Sequence, residues 1–185
     1  MIDQTLRDAD SKMGKAVEHA REEFAAIRTG RAHPAMFANI TADYYGTPTP
    51  LQQLAGFQVP EPRTVIISAY DQGAVAAIER AIRDSDLGVN PTNDGKTLRV
   101  TLPQLTEDRR KEYIKLARTK AEDGKVAVRN IRRTGKQALD KAEKDGDISK
   151  DDVTGAEKRL DTMTKKHVDG IDEMLKNKEA ELLEV

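Results

Sequence analysis

A chain of 185 residues with 34% charged and only 37% hydrophobic side chains has much surface for its core, and 4% aromatic content without Trp leaves little bulk to fill a wide interior. A formal net charge of -1 gives no global pull toward nucleic acid, so any such binding must come from local segregation of charge. The absence of cysteine excludes disulfides, thiol catalysis and thiolate metal sites. With no basic-then-apolar start and no stretch near membrane-spanning length, a soluble cytoplasmic chain with no membrane association is expected.

The first element is a helix over about residues 3–28. Leu6, Met13, Ala20 and Ile27 stand seven apart, with Val17 and Phe24 on the same seam. Thr29-Gly30 ends it, Gly being common just past a helix C-terminus, and Pro34 opposes resumption.

From about residue 31 to 103 helical periodicity stops. Residues 37–45 read as extended, Gly46-Thr47-Pro48-Thr49-Pro50 as a turn and rigid corner, and residues 64–70 as a buried strand. A short helix follows over 74–83. Asn93-Asp94-Gly95 is a turn signal before a last strand over 97–102.

After Pro103, Thr106 caps a helix whose first turn holds Glu107 and Asp108, acids that suit the positive end of the dipole. It runs to about Lys144, where Gly146 breaks it. Ser149-Lys150-Asp151-Asp152 resembles a capping box with Asp in place of Glu, and a third helix extends nearly to the end. Its apolar positions Val153, Ala156, Leu160 and Met163 give way to Val168, Ile171, Leu175 and Leu182, a register slip near His167.

None of the three long amphipathic segments buries its seam alone. The fold class expected is therefore α+β: an elongated antiparallel three-helix bundle, residues 1–30 plus 104–185, with a small α/β (β/α/β) domain, residues 31–103, inserted in it. Two strands of chain cross that boundary, which limits relative motion to a hinge or swivel, and Gly30 is the flexible element of the first crossing.

Between residues 107 and 144 two patterns interleave. Ile114, Ala117, Ala121, Gly124, Val128, Ile131, Gly135, Ala138 and Ala142 form a seam of small residues. Shifted by one, Lys115, Arg118, Lys125, Arg129, Arg132 and Lys136 form a basic stripe broken by Glu122. Residues 107–136 hold eleven bases against five acids. From Lys115 to Lys136 the stripe is roughly 30 Å long, a length suited to tracking phosphates. The bland reading is that Lys and Arg beside a seam cover it with their stems and pair with acids, which serves for Lys115 and Lys120. Arg129, Arg132, Arg133 and Lys136 crowd one face with no acid in residues 125–138, which favours phosphate contact. Gly124 and Gly135 on the seam read as sites of close helix approach.

Catalytic chemistry is missing. His19, His33 and His167 are dispersed, no GxxxxGK[ST] loop exists, and the carboxylates are scattered over helix surfaces, so neither an enzyme nor a bound cofactor or metal is expected. Tyr44 and Tyr45 are candidates for stacking, although alternation along a strand turns one of them inward. A coiled-coil adaptor binding a protein partner is the rival reading, distinguished by weak salt dependence.

The stretches Ile27-Arg28-Thr29-Gly30-Arg31-Ala32, Tyr44-Tyr45-Gly46-Thr47-Pro48-Thr49-Pro50-Leu51, Ser85-Asp86-Leu87-Gly88-Val89-Asn90-Pro91, Leu105-Thr106-Glu107-Asp108-Arg109-Arg110-Lys111 and Val126-Ala127-Val128-Arg129-Asn130-Ile131-Arg132-Arg133 closely resemble the bacterial ribosome recycling factor family. The resemblance spans essentially the whole length. It implies a monomeric, mechanical factor that binds the post-termination ribosome against large-subunit rRNA and, with elongation factor G and GTP, separates the subunits, hydrolysis belonging to the partner. It further implies that Arg129, Arg132 and Arg133 contact rRNA, with the stripe residues Arg118, Lys125 and Lys136 alongside. Arg28, Thr29, Gly30, Arg31, Pro103, Gln104 and Leu105 would form the hinge. Tyr44, Tyr45, Gly46, Thr47 and Pro48 would form the corner on which the elongation factor bears. The chain departs from the family at Thr134-Gly135, where Asp-Ala is common.

Overall fold

The structure, a computed structural model, describes residues 1–184. In chain order the elements are α1 (Ile2–Ala25), a 3-10 turn (Pro34–Phe37), β1 (Thr41–Tyr44), β2 (Thr47–Pro50), the single-turn α2 (Leu51–Leu54), β3 (Ala55–Glu61) and β4 (Thr64–Ala69). A second 3-10 turn (Gln72–Ala74), α3 (Val75–Arg83), β5 (Thr92–Asn93), β6 (Thr97–Thr101), α4 (Glu107–Lys144) and α5 (Lys150–Leu183) follow. Two compact units result: Met1–Phe24 with Ile114–Glu179, and Ala25–Tyr113 with the residues from Ala180 on.

The helical unit is built on small residues. A Cβ on Gly124 would lie 3.2 Å from Ile171 and 3.3 Å from Ala20, and one on Gly135 would lie 3.3 Å from Leu160 and 4.0 Å from Ala9. These neighbours fix the directions: α4 runs antiparallel to both α1 and α5. Asp3 with Arg159 and Asp10 with His167 set α1 and α5 parallel. Ala117, Ala121, Val128, Gly135, Leu139 and Ala142 of α4 are buried, facing Leu6, Ala9, Met13, Ala20 and Phe24 of α1 and Val153, Ala156, Leu160 and Ile171 of α5. Ala138, expected on the seam, is exposed, and fully buried Leu139 takes its place. The seam steps four residues from Gly135 instead of three, so the larger side chain fills the interior.

The turn between α4 and α5 is specified locally. Gly146, at φ 79°, occupies the left-handed position after α4; its N–H donates to Glu143 O at 3.0 Å and that of Asp147 to Ala142 O at 2.9 Å, closing the last orphan carbonyls. Ser149 Oγ then accepts from the Asp152 N–H at 3.0 Å while Asp152 Oδ2 accepts from the Ser149 N–H at 3.2 Å. Along α5 the register slips at Thr164, where the seam steps four residues twice in succession from Ala156. The buried Thr164 hydroxyl donates back to Leu160 O at 2.7 Å, and half-buried His167 carries the seam onward to Ile171.

Two readings of the first crossing change. Helix α1 ends at Ala25, three residues short of Arg28, and Gly30 is not among the residues at positive φ, so it caps nothing. Beyond the helix end Ile27 and Thr29 are nonetheless buried, with exposures of 5% and 8%.

In the α/β unit the strands form a two-stranded sheet, β1-β2, and a four-stranded sheet of order β3-β4-β6-β5, with every pair antiparallel. Alternation along β4 and β6 sends Val65, Ile67, Leu98 and Val100 inward to meet Val75, Ile78 and Ile82 of α3, with Phe37, Leu51 and Leu102 completing one cluster. The segment read as extended from residue 37 begins instead with a 3-10 turn, and the residues read as a rigid corner, 47–50, are strand β2. Pro48 and Pro50 are tolerated there because β2 pairs on one side alone.

Candidate nucleic-acid interface

Helix α4 presents three longitudinal strips, and the charges on its α5 side are engaged. Arg118 Nε meets Glu179 Oε1 at 2.7 Å, Lys125 Nζ meets Asp172 Oδ1 at 2.9 Å, Arg132 Nε meets Asp161 Oδ1 at 2.7 Å and Lys136 Nζ meets Glu157 Oε1 at 3.9 Å. Arg132 and Lys136, expected on a face with no acid among its own residues, are therefore, with Arg118 and Lys125, one rail of a ladder whose other rail is α5. The hydrogen bond to Asp172 raises the Lys125 pKa against the burial that would lower it. Lys120, on the other flank, pairs with Glu23 of α1 at 2.9 Å; that bond holds the glutamate below, and the lysine above, its ordinary range.

The outer strip is different. Arg129 reaches back to Glu122 at 3.3 Å, Arg133 is exposed with no ion pair among the described residues, and Asn130 and Val126 lie exposed beside them. Exposed ion pairs contribute only about 0–1 kcal/mol each, so the rungs can exchange a carboxylate for a phosphate at small cost. Arg offers a planar fork suited to phosphate oxygens, and the stretch of helix from Lys115 to Lys136 carries basic chemistry over roughly 30 Å.

The acids of the second rail were not part of the sequence reading. A signal existed: Asp172 and Glu179 are seven apart, as are Lys125 and Arg118, so antiparallel helices bring the two pairs into register.

The residues read as crossing the domain boundary lie together within the α/β unit. Arg28 Nη2 donates to Pro103 O at 2.5 Å, Arg31 Nε meets Glu184 Oε2 at 2.8 Å, and Thr29 Oγ1 accepts from the Arg31 N–H at 3.2 Å. The turn between β3 and β4 ties both segments: Pro62 O accepts from the Ala32 N–H at 2.6 Å and Arg63 O from the Leu102 N–H at 2.7 Å. Gly30, Arg31, Gln104, Leu105 and Arg110 line a cleft of about 580 Å³ there.

At the corner, Tyr44 is half-buried against the core while Tyr45 is exposed at the tip of the β1-β2 hairpin. Tyr44 pairs with Thr47 across the two-residue turn Tyr45-Gly46, and Pro48 pairs with Asp43. Among the described residues no helix is long and apolar enough to cross a membrane, and no group of three or more His, Asp or Glu side chains is arranged to hold a metal.

The family model for ribosome recycling factor matches residues 20–183. A ribosome-recycling factor of a Nocardioides species is 66% identical over 185 residues, all of both chains, and one of Cutibacterium acnes is 63% identical over 180 residues, 97% of this chain and 98% of that one. Among solved structures, a solution structure of the ribosome recycling factor is 40% identical with a TM-score of 0.79, covering 100% of this chain and 98% of that one. The Thermus thermophilus factor, described with Escherichia coli elongation factor G as bound to the E. coli post-termination complex, is 40% identical with a TM-score of 0.72 over all of both chains.

Proposed function

Because the chain belongs to the ribosome recycling factor family, we propose that it recycles ribosomes: it binds the post-termination complex on large-subunit rRNA and, with elongation factor G and GTP, drives the subunits apart. The observation that carries this reading is the full-length likeness to a recycling factor described with elongation factor G on that complex. The chain works as a mechanical part in the cytoplasm, and GTP hydrolysis belongs to the elongation factor.

On this reading α4 supplies the RNA contact. Arg129, Arg132 and Arg133 meet phosphates first, with Arg118, Lys125 and Lys136 released from their acids as the helix settles on the backbone. Arg28 to Arg31 and Pro103 to Leu105 act as the hinge of the two crossings, between a bundle of residues 1–30 with 104–185 and an inserted domain of residues 31–103. The corner at Tyr44, Tyr45, Gly46, Thr47 and Pro48 receives the push of the elongation factor.

The test is subunit splitting on purified post-termination ribosomes, followed by light scattering, with each factor omitted in turn. Splitting that needs this chain, elongation factor G and GTP together supports the reading. A folded protein that gives no splitting with a cognate elongation factor G overturns it.

A further inference from the structure

The hairpin tip holds a conformation that its sequence disfavours. The two-residue turn joining Tyr44 to Thr47 has positive φ at both central residues, the type I′ form; Gly46, at 86°, adopts it freely, but Tyr45, at 50°, does so against its side chain. Among the described residues Tyr45 is the only one other than glycine in that region. Tyr45 is 81% exposed, so burial offsets little of the strain.

What the Tyr45 side chain does meet is Asp71, 26 residues along the chain. Its Oδ2 accepts the Tyr44 hydroxyl at 2.9 Å and the Tyr45 hydroxyl at 3.4 Å, and its Oδ1 accepts the Gly73 N–H at 2.9 Å, capping the 3-10 turn that leads into α3. One carboxylate thus ties the tip to the helix that packs on the sheet. The Gly73 N–H, then the Tyr44 hydroxyl, hold Asp71 below the usual carboxylate range, and Asp71 in turn raises the Tyr44 pKa, so acceptor and donor are both in place at neutral pH. Gly73 leaves room for the arrangement: a Cβ there would lie 3.3 Å from Asp71 Oδ1 and 3.4 Å from the Tyr45 hydroxyl. The Tyr44 ring abuts that of Tyr45 edge-on at 4.6 Å, restricting its swing.

We infer that Asp71 is a positioning residue for the elongation-factor contact: it anchors the hydroxyl of Tyr45 so that the exposed ring meets elongation factor G already ordered. The inference rests on the reading that this corner receives that factor. Its physical basis is that an aromatic anchor fixed before binding forfeits less conformational freedom on association than a mobile one.

The experiment is subunit splitting at increasing elongation factor G, with large-subunit affinity measured separately. Tyr45→Phe keeps the ring and deletes its anchor; Asp71→Asn keeps Oδ1 for Gly73 and removes the acceptor at Oδ2. Each raises the half-saturating concentration of elongation factor G by about three- to tenfold, the worth of one hydrogen bond, and the double variant raises it no further than the stronger single one. The maximal rate and the large-subunit affinity move by less than about twofold, which separates positioning from loss of fold. Tyr45→Ala raises the half-saturating concentration more than Tyr45→Phe.

If Tyr45→Ala has its effect while Tyr45→Phe and Asp71→Asn have none, the contact stands and the positioning role is overturned. If Tyr45→Ala also has none, the corner does not meet the factor and both readings fall. Additive effects in the double variant, or a fall in maximal rate in step with melting temperature, overturn positioning in favour of a purely structural bond.

Discussion

The α/β unit concentrates its stability in one place and the helical unit spreads it along a line. In the former, Phe37, Leu51, Ile67, Ile78, Ile82, Leu98 and Leu102 share a single cluster with scarcely any solvent contact. In the latter the seam is Ala, Gly, Val and Leu taken one turn at a time, flanked by exposed ion pairs. A clustered core fails at a single residue, whereas a line of small contacts yields by increments. On the proposed reading function divides the same way: one anchored tip in the α/β unit, a row of interchangeable cations on α4.

The largest expected effect tests the clustered side. Ile78 of α3 is fully buried against the sheet, and Ile78→Ala costs about 2–5 kcal/mol, the range for such a truncation with its cavity. Hydrogen exchange should then show the strands of the four-stranded sheet losing protection while mid-α4 amides, around Val128, keep theirs. Uniform loss of protection over both would break the comparison.

The next effect belongs to the line. Arg133→Ala and Arg132→Ala each weaken large-subunit binding by about tenfold and lower the slope of log affinity against log salt by about one, the signature of one lost phosphate contact. Stability changes by no more than about 0.5 kcal/mol for Arg133→Ala, because that side chain is exposed and makes no ion pair among the described residues. Equal affinity to the parent chain at several salt concentrations would remove these arginines from the interface and favour the adaptor reading.

A smaller change sharpens the incremental side. Ser149→Ala deletes half of the reciprocal cap at the start of α5 and should lower the stability of the helical unit by about 1 kcal/mol in denaturant titration. No shift in midpoint would mean that the turn is held by Gly146 alone.

Sequence carried α4 and α5 well because their determinants are local. Thr106, Gly146 and Ser149 mark helix ends through bonds within a few residues, and a seven-residue period reports the buried face wherever the helix runs. It carried less of what depends on two distant segments. The acids opposite Arg132 and Lys125 lie 29 and 47 residues away, and nothing near those bases in the chain announces them. Strand β3 escaped because Gly56 and Pro60 interrupt a stretch whose later residues are all exposed, so neither alternation nor a continuous apolar run exists to be read. Asp71 was invisible as part of the corner for the same reason: a turn signal at Tyr45-Gly46 names the bend without naming what holds it.

The finest discrimination lies between the two seam glycines. Both sit inside α4, where Ala is favoured over Gly by about 1 kcal/mol, so each replacement starts with the same gain. What a new methyl meets differs. At Gly135 the closest atoms are the two Leu160 methyls, at 3.3 and 3.5 Å, the far end of a side chain that turns aside through its own torsions. At Gly124 the methyl is caught between Ile171 Cδ1 at 3.2 Å and Ala20 Cβ at 3.3 Å, and the alanine has no torsion to yield, so α1 itself has to move. Gly135→Ala should therefore stabilise the helical unit by up to about 1 kcal/mol, while Gly124→Ala gains nothing or destabilises it by about 1 kcal/mol through overpacking. Thermal denaturation of the two variants side by side decides it: if both gain equally, α1 yields easily at Ala20 and the seam is looser than its contacts imply.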